Sequence, residues 1–187
     1  MIKITIEKLE EFKACEEGKN WFLNQKLKSL SAVCKSLLKQ NAYYATWILP
    51  RYMDHTQQVQ FAIFCAEQTI KIFESKYPTD KRPRLAIQAA KDFLAGKSTA
   101  YAAANAANAA YAAHAAANAA GAADAAYAAD AAADAAYAAD AAADAASDAT
   151  YAAADAANAA ATWSATSNRK KLTTKIISFG LKILGEK

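Results

Sequence analysis

The sequence contains few residues that interrupt a helix. Five glycines and three prolines occur among 187 residues, and residues 98–179 contain one glycine, Gly121, and no proline. Nor does any run alternate apolar and polar residues with the period of two that a strand requires, except for a short stretch at residues 1–6. These absences argue against a β architecture. We predict an all-α protein, a helical bundle whose long Ala-rich helices pack at close separation.

Lys and Arg are absent from residues 98–168, which contain seven aspartates. By contrast, residues 1–97 carry 16 Lys and Arg against 10 Asp and Glu, and residues 169–187 carry six against one. The net charge of +4 conceals this basic, acidic, basic order, so we expect no direct nucleic-acid binding. The same boundaries separate a core rich in Leu, Ile, Phe and Trp, an Ala-rich long-helix region, and a basic amphipathic carboxy-terminal helix.

Cysteine and histidine are too scarce and too scattered for a disulfide framework or a metal site. Cys15, Cys34 and Cys65 show no CxxC spacing, and His55 and His114 lie in different segments. We therefore predict no metal and no cofactor, and we expect the thiols to behave as small buried hydrophobes in a reducing cytoplasm.

Long apolar runs are also missing. Nowhere do about 18 strongly apolar residues follow one another, so we predict no membrane-spanning helix. The opening residues, MIKITIEKLEEF, contain no uninterrupted apolar run, and we expect no signal peptide there.

Apolar spacing predicts several helices in the amino-terminal region. Thr5 is placed to cap a first helix, which Gly18 would end, and leucines at helical spacing predict a second helix over residues 27–40. The clearest core helix is predicted at residues 56–76, where apolar residues line one face. Its predicted core residues are Val59, Ile63, Ala66, Ile70 and Phe73.

A turn is predicted over residues 77–83. Pro83 suits the first position of the next helix, and Gly96 suits its end. Ser98 or Thr99 is suited to cap the Ala-rich helix that follows.

The Ala-rich region repeats a ten-residue unit, YAADAAADAA, without change over residues 127–146. From Asp130 to Asn158 the Asp, Tyr and Asn residues recur every 3.5 residues on average, so they line one side of a helix whose other sides are methyl groups. Because a buried Ala methyl contributes only about 0.8 kcal/mol, such a helix needs close contacts on more than one side.

The length of this region leaves two alternatives open. As one straight helix, residues 122–166 would span about 67 Å, whereas a compact domain of this size has a radius of gyration of about 16 Å. The helix therefore either extends from the domain or breaks, and residues 147–150 are suited to a break. The uninterrupted phase of the Asp and Tyr residues is what one continuous helix would require, but of the two alternatives we expect a break or kink.

The acidic and aromatic residues of this face form a candidate partner-binding surface, which we call the Asp/Tyr stripe. It comprises Asp124, Tyr127, Asp130, Asp134, Tyr137, Asp140, Asp144, Asp148, Tyr151 and Asp155. Carboxylates steer association with a basic protein, and tyrosine is enriched at interface hot spots. The alternatives are a solvated face that keeps the helix soluble, mimicry of a nucleic-acid backbone by several such helices together, and ice binding, for which the regular threonines are absent.

The basic tail is amphipathic, with Leu172, Ile176, Phe179 and Ile183 at helical spacing. We predict a closing helix that docks on the amino-terminal core, whose apolar faces otherwise lack partners. Contact with an anionic membrane surface is the alternative.

Glu67 and Glu74 lie seven residues apart on one helical face, as a paired-carboxylate active site would require. No further carboxylate or histidine converges on them in the sequence. We predict instead that these glutamates form ion pairs with Arg82 and Arg84, and that Asp80 accepts hydrogen bonds from the backbone of its turn.

Several short motifs occur in a specific order within residues 64–97. They are CAE, FE, YP, RPR and AI, and they contain Glu67, Glu74, Tyr77, Arg82, Pro83 and Arg84, with Asp80 and Gly96 at fixed positions between and after them. Followed by an Ala-rich helical region, this stretch resembles a family of small all-helical immunity proteins of bacterial toxin systems, which also has phage-encoded relatives.

The resemblance implies a non-enzymatic protein that binds and neutralises a toxin or a defence effector through a helical surface. The Ala-rich helices depart from the family, because Ala, Asp, Asn and Tyr replace its scattered Arg, His and Glu. A structural or ligand-binding helical module with no antagonist role is the alternative function.

Overall fold

The structure is a computed structural model that describes residues 1–119, 127, 129–134, 137–138, 155 and 166–186. The described helices are α1 (Ile6–Glu11), α2 (Glu16–Leu23), α3 (Leu30–Gln40), α4 (Ala42–Ile48), a 3-10 helix (Leu49–Tyr52), α5 (His55–Lys76), α6 (Arg82–Leu94), α7 (Ala100–Ala119) and α8 (Thr166–Ile183). Within this part of the chain, residues 1–6 form a single β-bridge, from Lys3 to Ser29, and no strand. The predicted all-α fold is confirmed.

Helix α1 begins as predicted and ends earlier than predicted. The Thr5 hydroxyl accepts a hydrogen bond from the Lys8 N–H. Helix α1 ends where Lys13 takes a left-handed conformation, φ 55°, and the Ala14 N–H bonds the Leu9 carbonyl, which closes the helix as a Schellman motif. Gly18 was predicted to end this helix, which is wrong, because Gly18 lies inside α2.

The predictions for α5 and α6 are confirmed. Helix α5 is capped by Asp54, and its five predicted core residues are all buried. Helix α6 begins one residue before Pro83 and ends at Leu94, and Gly96 terminates it with φ +66° while the Lys97 N–H bonds the Asp92 carbonyl. The hydroxyl of Thr99 then caps α7 by accepting the Ala102 N–H.

Helix α8 docks on the amino-terminal core, as the amphipathic pattern predicts. It contacts α3, α4, α5 and the 3-10 helix. The rings of Phe179 and Phe64 stack with centroids 3.8 Å apart. Ile176, Ile177 and Leu181 are buried, so the inward face is displaced slightly from the predicted line of residues.

The Ala-rich segment at residues 129–134 is buried on several sides. Ala129, Ala131 and Ala132 belong to the main hydrophobic core, whereas Ala133 packs in a second cluster with alanines of α6 and α7. The predicted need for close contacts on more than one side is thus met here. Whether residues 122–166 form one helix or two, and whether the chain breaks at 147–150, lies outside the described residues.

Gly180 tests how closely α8 approaches the core. A Cβ at this position would lie 2.9 Å from Phe61 Cε2 and 3.0 Å from Leu49 Cδ1. We expect Gly180→Ala to lower the free energy of unfolding by about 1 to 2 kcal/mol, because overpacking outweighs the gain in helix propensity. Gly18→Ala is the matched control, since its Cβ would meet only Cys15 Sγ at 3.5 Å. Equal melting temperatures for the two variants would contradict this packing.

Ala132 tests the close packing of the Ala-rich segment. Its side chain is fully buried, so Ala132→Leu should cost about 1 to 3 kcal/mol in urea unfolding. The control is Ala102→Leu on the exposed side of α7, where the cost should stay below about 0.5 kcal/mol because Leu and Ala differ little in helix propensity. If both variants unfold like the parent, the segment is not packed in the interior.

Candidate functional site

The structure describes five members of the Asp/Tyr stripe and places them at different depths. Tyr127 and Tyr137 are 39% and 38% exposed, and Asp155 is exposed. Asp130 is partly buried, and Asp134 is only 6% exposed. The face is therefore not uniformly solvated. The other predicted members, Asp124, Asp140, Asp144, Asp148 and Tyr151, lie outside the described residues.

Asp134 faces α7 rather than solvent. The Tyr111 hydroxyl donates a hydrogen bond of 2.5 Å to Asp134 Oδ1. Burial raises the pKa of Asp134 from 3.8 to about 7, although the hydrogen bond from Tyr111 acts in the opposite direction. Burial and the neighbouring carboxylate raise the pKa of Tyr111 in turn, so its hydroxyl stays protonated and remains a donor.

Two further carboxylates of the stripe lie near Asp134. Asp130 Oδ1 is 3.1 Å from His114 Nδ1, and burial raises the pKa of Asp130 while His114 lowers it. Although the side chain of Asp155 is exposed, partial desolvation and the charge of Asp130 raise its pKa, whereas Arg51 of the 3-10 helix lowers it. We call Tyr111, His114, Asp130, Asp134 and Asp155 the carboxylate cluster.

The three aspartates of this cluster were predicted from the sequence as site residues, but their partners Tyr111 and His114 were not. Tyr111 and His114 are three residues apart, so they lie on one face of a helix. That spacing was a signal that a polar contact could form on this side of α7. Which carboxylates would meet it depends on how α7 packs against residues 129–134, and this packing is not encoded in local spacing.

We call Glu67, Glu74, Tyr77, Asp80, Arg82, Pro83 and Arg84 the family-like motif. Its charged residues hold α5, the turn and α6 together. Arg84 Nε and Nη2 donate to the two oxygens of Glu74 at 2.8 and 2.6 Å. Asp80 accepts the backbone N–H of Arg82 at 3.1 Å, and it also pairs with the Arg82 guanidinium. These contacts lower the pKa of Glu74 and of Asp80.

Glu67, the remaining acidic residue of this motif, pairs with a lysine rather than with a predicted arginine. The distance from Lys91 Nζ to Glu67 Oε1 is 2.5 Å. Glu67 and Glu74 thus each hold a different base of α6, an arrangement that joins two helices. Tyr77 ends α5, and its ring packs against Phe73; Pro83 is buried in the first turn of α6.

A separate cavity of about 200 Å³ lies between α1, α2, α3 and α4. Its lining is largely apolar and includes the aromatic residues Trp21, Phe22, Tyr44 and Trp47, so we call it the aromatic cavity. Cys15 also lines it, with Sγ 3.8 Å from the Tyr44 hydroxyl. This cavity was not predicted from the sequence, because no separate helix was predicted over residues 16–23, where α2 supplies part of the lining.

The three cysteines differ in exposure. Cys34 and Cys65 are buried, as predicted, and burial raises the pKa of both thiols, that of Cys34 to about 12. Cys15 was expected to be buried as well, but it is exposed, because it precedes α2 and its Sγ accepts the Gly18 N–H at the start of that helix.

Neither a metal cluster nor a membrane span is found among the described residues. No group of three or more His, Cys, Asp or Glu side chains in this part of the chain is arranged to hold a metal ion. None of the helices described here is long and apolar enough to cross a membrane.

Comparison with known proteins identifies a family for most of the chain. The model of the family described as Imm-5 like putative immunity protein matches residues 49–177. This range contains the ion pairs between α5 and α6, the carboxylate cluster and the first two thirds of α8. No curated protein and no solved structure matches the chain. Because the match covers well over half of its length, the chain belongs to the Imm-5 like putative immunity protein family.

Proposed function

We propose that the chain is a non-enzymatic inhibitor that binds and neutralises a toxin or a defence effector through a helical surface. The observation that carries this proposal is membership of an immunity family over residues 49–177. Immunity implies a protein target, and binding alone suffices to neutralise it. The carboxylates of the family-like motif support the non-enzymatic part of this proposal. Glu67, Glu74 and Asp80 are engaged in ion pairs that join structural elements, which is a structural role rather than a catalytic one.

The surface that we assign to the partner is the exposed part of the Asp/Tyr stripe. Tyr127 and Tyr137 each expose more than a third of their area. Asp155, a further member of the stripe, is also exposed. Residues 98–168 contain no Lys or Arg to offset the aspartates, so a basic partner is favoured. Asp134 is left out of this surface because it is buried.

The two exposed tyrosines provide the test of this surface. The candidate partner to test is any protein encoded beside this chain whose expression stops growth, and the assay is growth of cells that express both proteins. Tyr127→Ala and Tyr137→Ala should each weaken binding by about tenfold or more and reduce protection, because truncation removes an aromatic anchor. Association with the parent should slow as salt is added, since charge steers the encounter.

Tyr101→Ala is the matched control for this experiment. Tyr101 is 76% exposed on α7 and lies outside the stripe, so its truncation should leave binding and protection unchanged. Circular dichroism must show the same helix content in all variants. A parent chain that neither binds nor protects would refute the function, whereas protection that all three variants retain would refute only the surface.

The aromatic cavity between α1 and α4 favours a second candidate function, a helical module that binds a small apolar ligand. It lies outside the range that the family model matches. Apolar cavities of this size accept small aromatic molecules. We expect indole at millimolar concentration to raise the melting temperature of the parent. It should not raise that of Ala14→Leu, because the larger side chain at this lining position fills part of the cavity. The absence of any indole-dependent shift in the parent would contradict this candidate.

A further inference from the structure

The carboxylate cluster places an acidic side chain where the Ala-rich segment must stay packed. Asp134 is only 6% exposed, and the three residues that precede it, Ala131, Ala132 and Ala133, are fully buried. Its hydrogen bond from Tyr111 links residues 129–134 to α7. Anything that makes Asp134 unfavourable in this position therefore acts on the packing of the segment against α7.

We propose that Asp134 is a proton-dependent latch: its neutral form holds residues 129–134 in the core, and loss of its proton loosens this segment from α7. The neutral acid fits the site because it can accept the Tyr111 hydroxyl and bring no charge into apolar surroundings. The ionised form would have to give up its hydration in this buried position. The hydrogen-bond donor that the structure shows for it is the Tyr111 hydroxyl.

The neighbouring groups reinforce this effect. Asp130 and Asp155 both act on Asp134 as like charges and raise its pKa further. On the opposing side, His114 of α7 pairs with Asp130, and Arg51 of the 3-10 helix acts on Asp155. Asp130 and Asp155 thus each interact with a nitrogen-bearing side chain of a neighbouring helix, whereas Asp134 receives the neutral hydroxyl of Tyr111.

The sign of the pH dependence follows from the direction of the shift. The pKa of Asp134 is higher in the folded chain, about 7, than its ordinary value of 3.8, so the folded chain binds this proton more tightly than the unfolded chain. The stabilisation is complete below the ordinary value and is lost as the pH rises to about 7. Glu74 and Asp80 behave oppositely, because their lowered pKa values make them lose stabilisation only in acid.

Thermal unfolding of the full chain between pH 5 and pH 8.5 separates these contributions, because Glu74 and Asp80 stay ionised throughout. We expect the melting temperature of the parent to fall by about 5 °C or more over this range. Asp134→Asn imitates the neutral acid and can still accept the Tyr111 hydroxyl. The melting temperature of this variant should fall by less than half as much as that of the parent. At pH 8.5 the variant should have the higher melting temperature.

Asp92→Asn is the matched control, because Asp92 lies on α6 outside the cluster and accepts a hydrogen bond from Gln88. It should retain the full decrease of the parent. The carboxyl carbon of Asp134, followed by NMR in the parent, gives an independent measurement if Asp134→Asn does not fold. A midpoint near 7 supports the latch. A midpoint near 4, or parallel pH profiles for the parent and Asp134→Asn, overturns it.

Discussion

The small size of the alanine side chain is the constraint on which the rest of the structure depends. A buried methyl group contributes about a third of the burial free energy that a leucine side chain contributes. An Ala-rich helix is therefore stabilised sufficiently only when neighbours pack against it from several directions. Residues 129–134 meet this condition by packing both on the main core and on the alanines of α6 and α7. Close approach on several sides leaves little of such a helix in contact with water, and polar residues placed at regular intervals must then enter the interior.

This constraint explains why the acidic residues of one stripe have different environments. Asp155 and the two tyrosines reach solvent, whereas Asp134 enters the contact with α7 and takes Tyr111 as its partner. The amino-terminal region follows the opposite rule, since its large side chains form a core on one face of each helix and leave the charges outside. There the ion pair of Glu74 and Arg84 fixes the relative position of α5 and α6 at the surface.

Much of the fold could be predicted from local signals, because capping residues and apolar periods act within a few positions. Thr5, Pro83, Gly96 and Thr99 each mark a helix boundary within one residue of the prediction. The prediction that Gly18 ends the first helix was wrong because Lys13, in a left-handed conformation, ends that helix earlier in the chain. The burial of Asp134 could not be predicted, since alanine is too weakly hydrophobic to show which side of a helix faces inward. Its contact with Tyr111 depends on tertiary packing across 23 residues of sequence.

The exposure of Cys15 has a practical consequence for work on this protein. Cys34 and Cys65 are buried, and the raised pKa of each thiol keeps it protonated and unreactive. A thiol-directed dye or spin label will therefore modify the native chain at Cys15, with no engineered cysteine. Because Cys15 lines the aromatic cavity beside Trp21 and Tyr44, the attached group will sense whatever enters that cavity while the surface around Tyr127 and Tyr137 remains unlabelled.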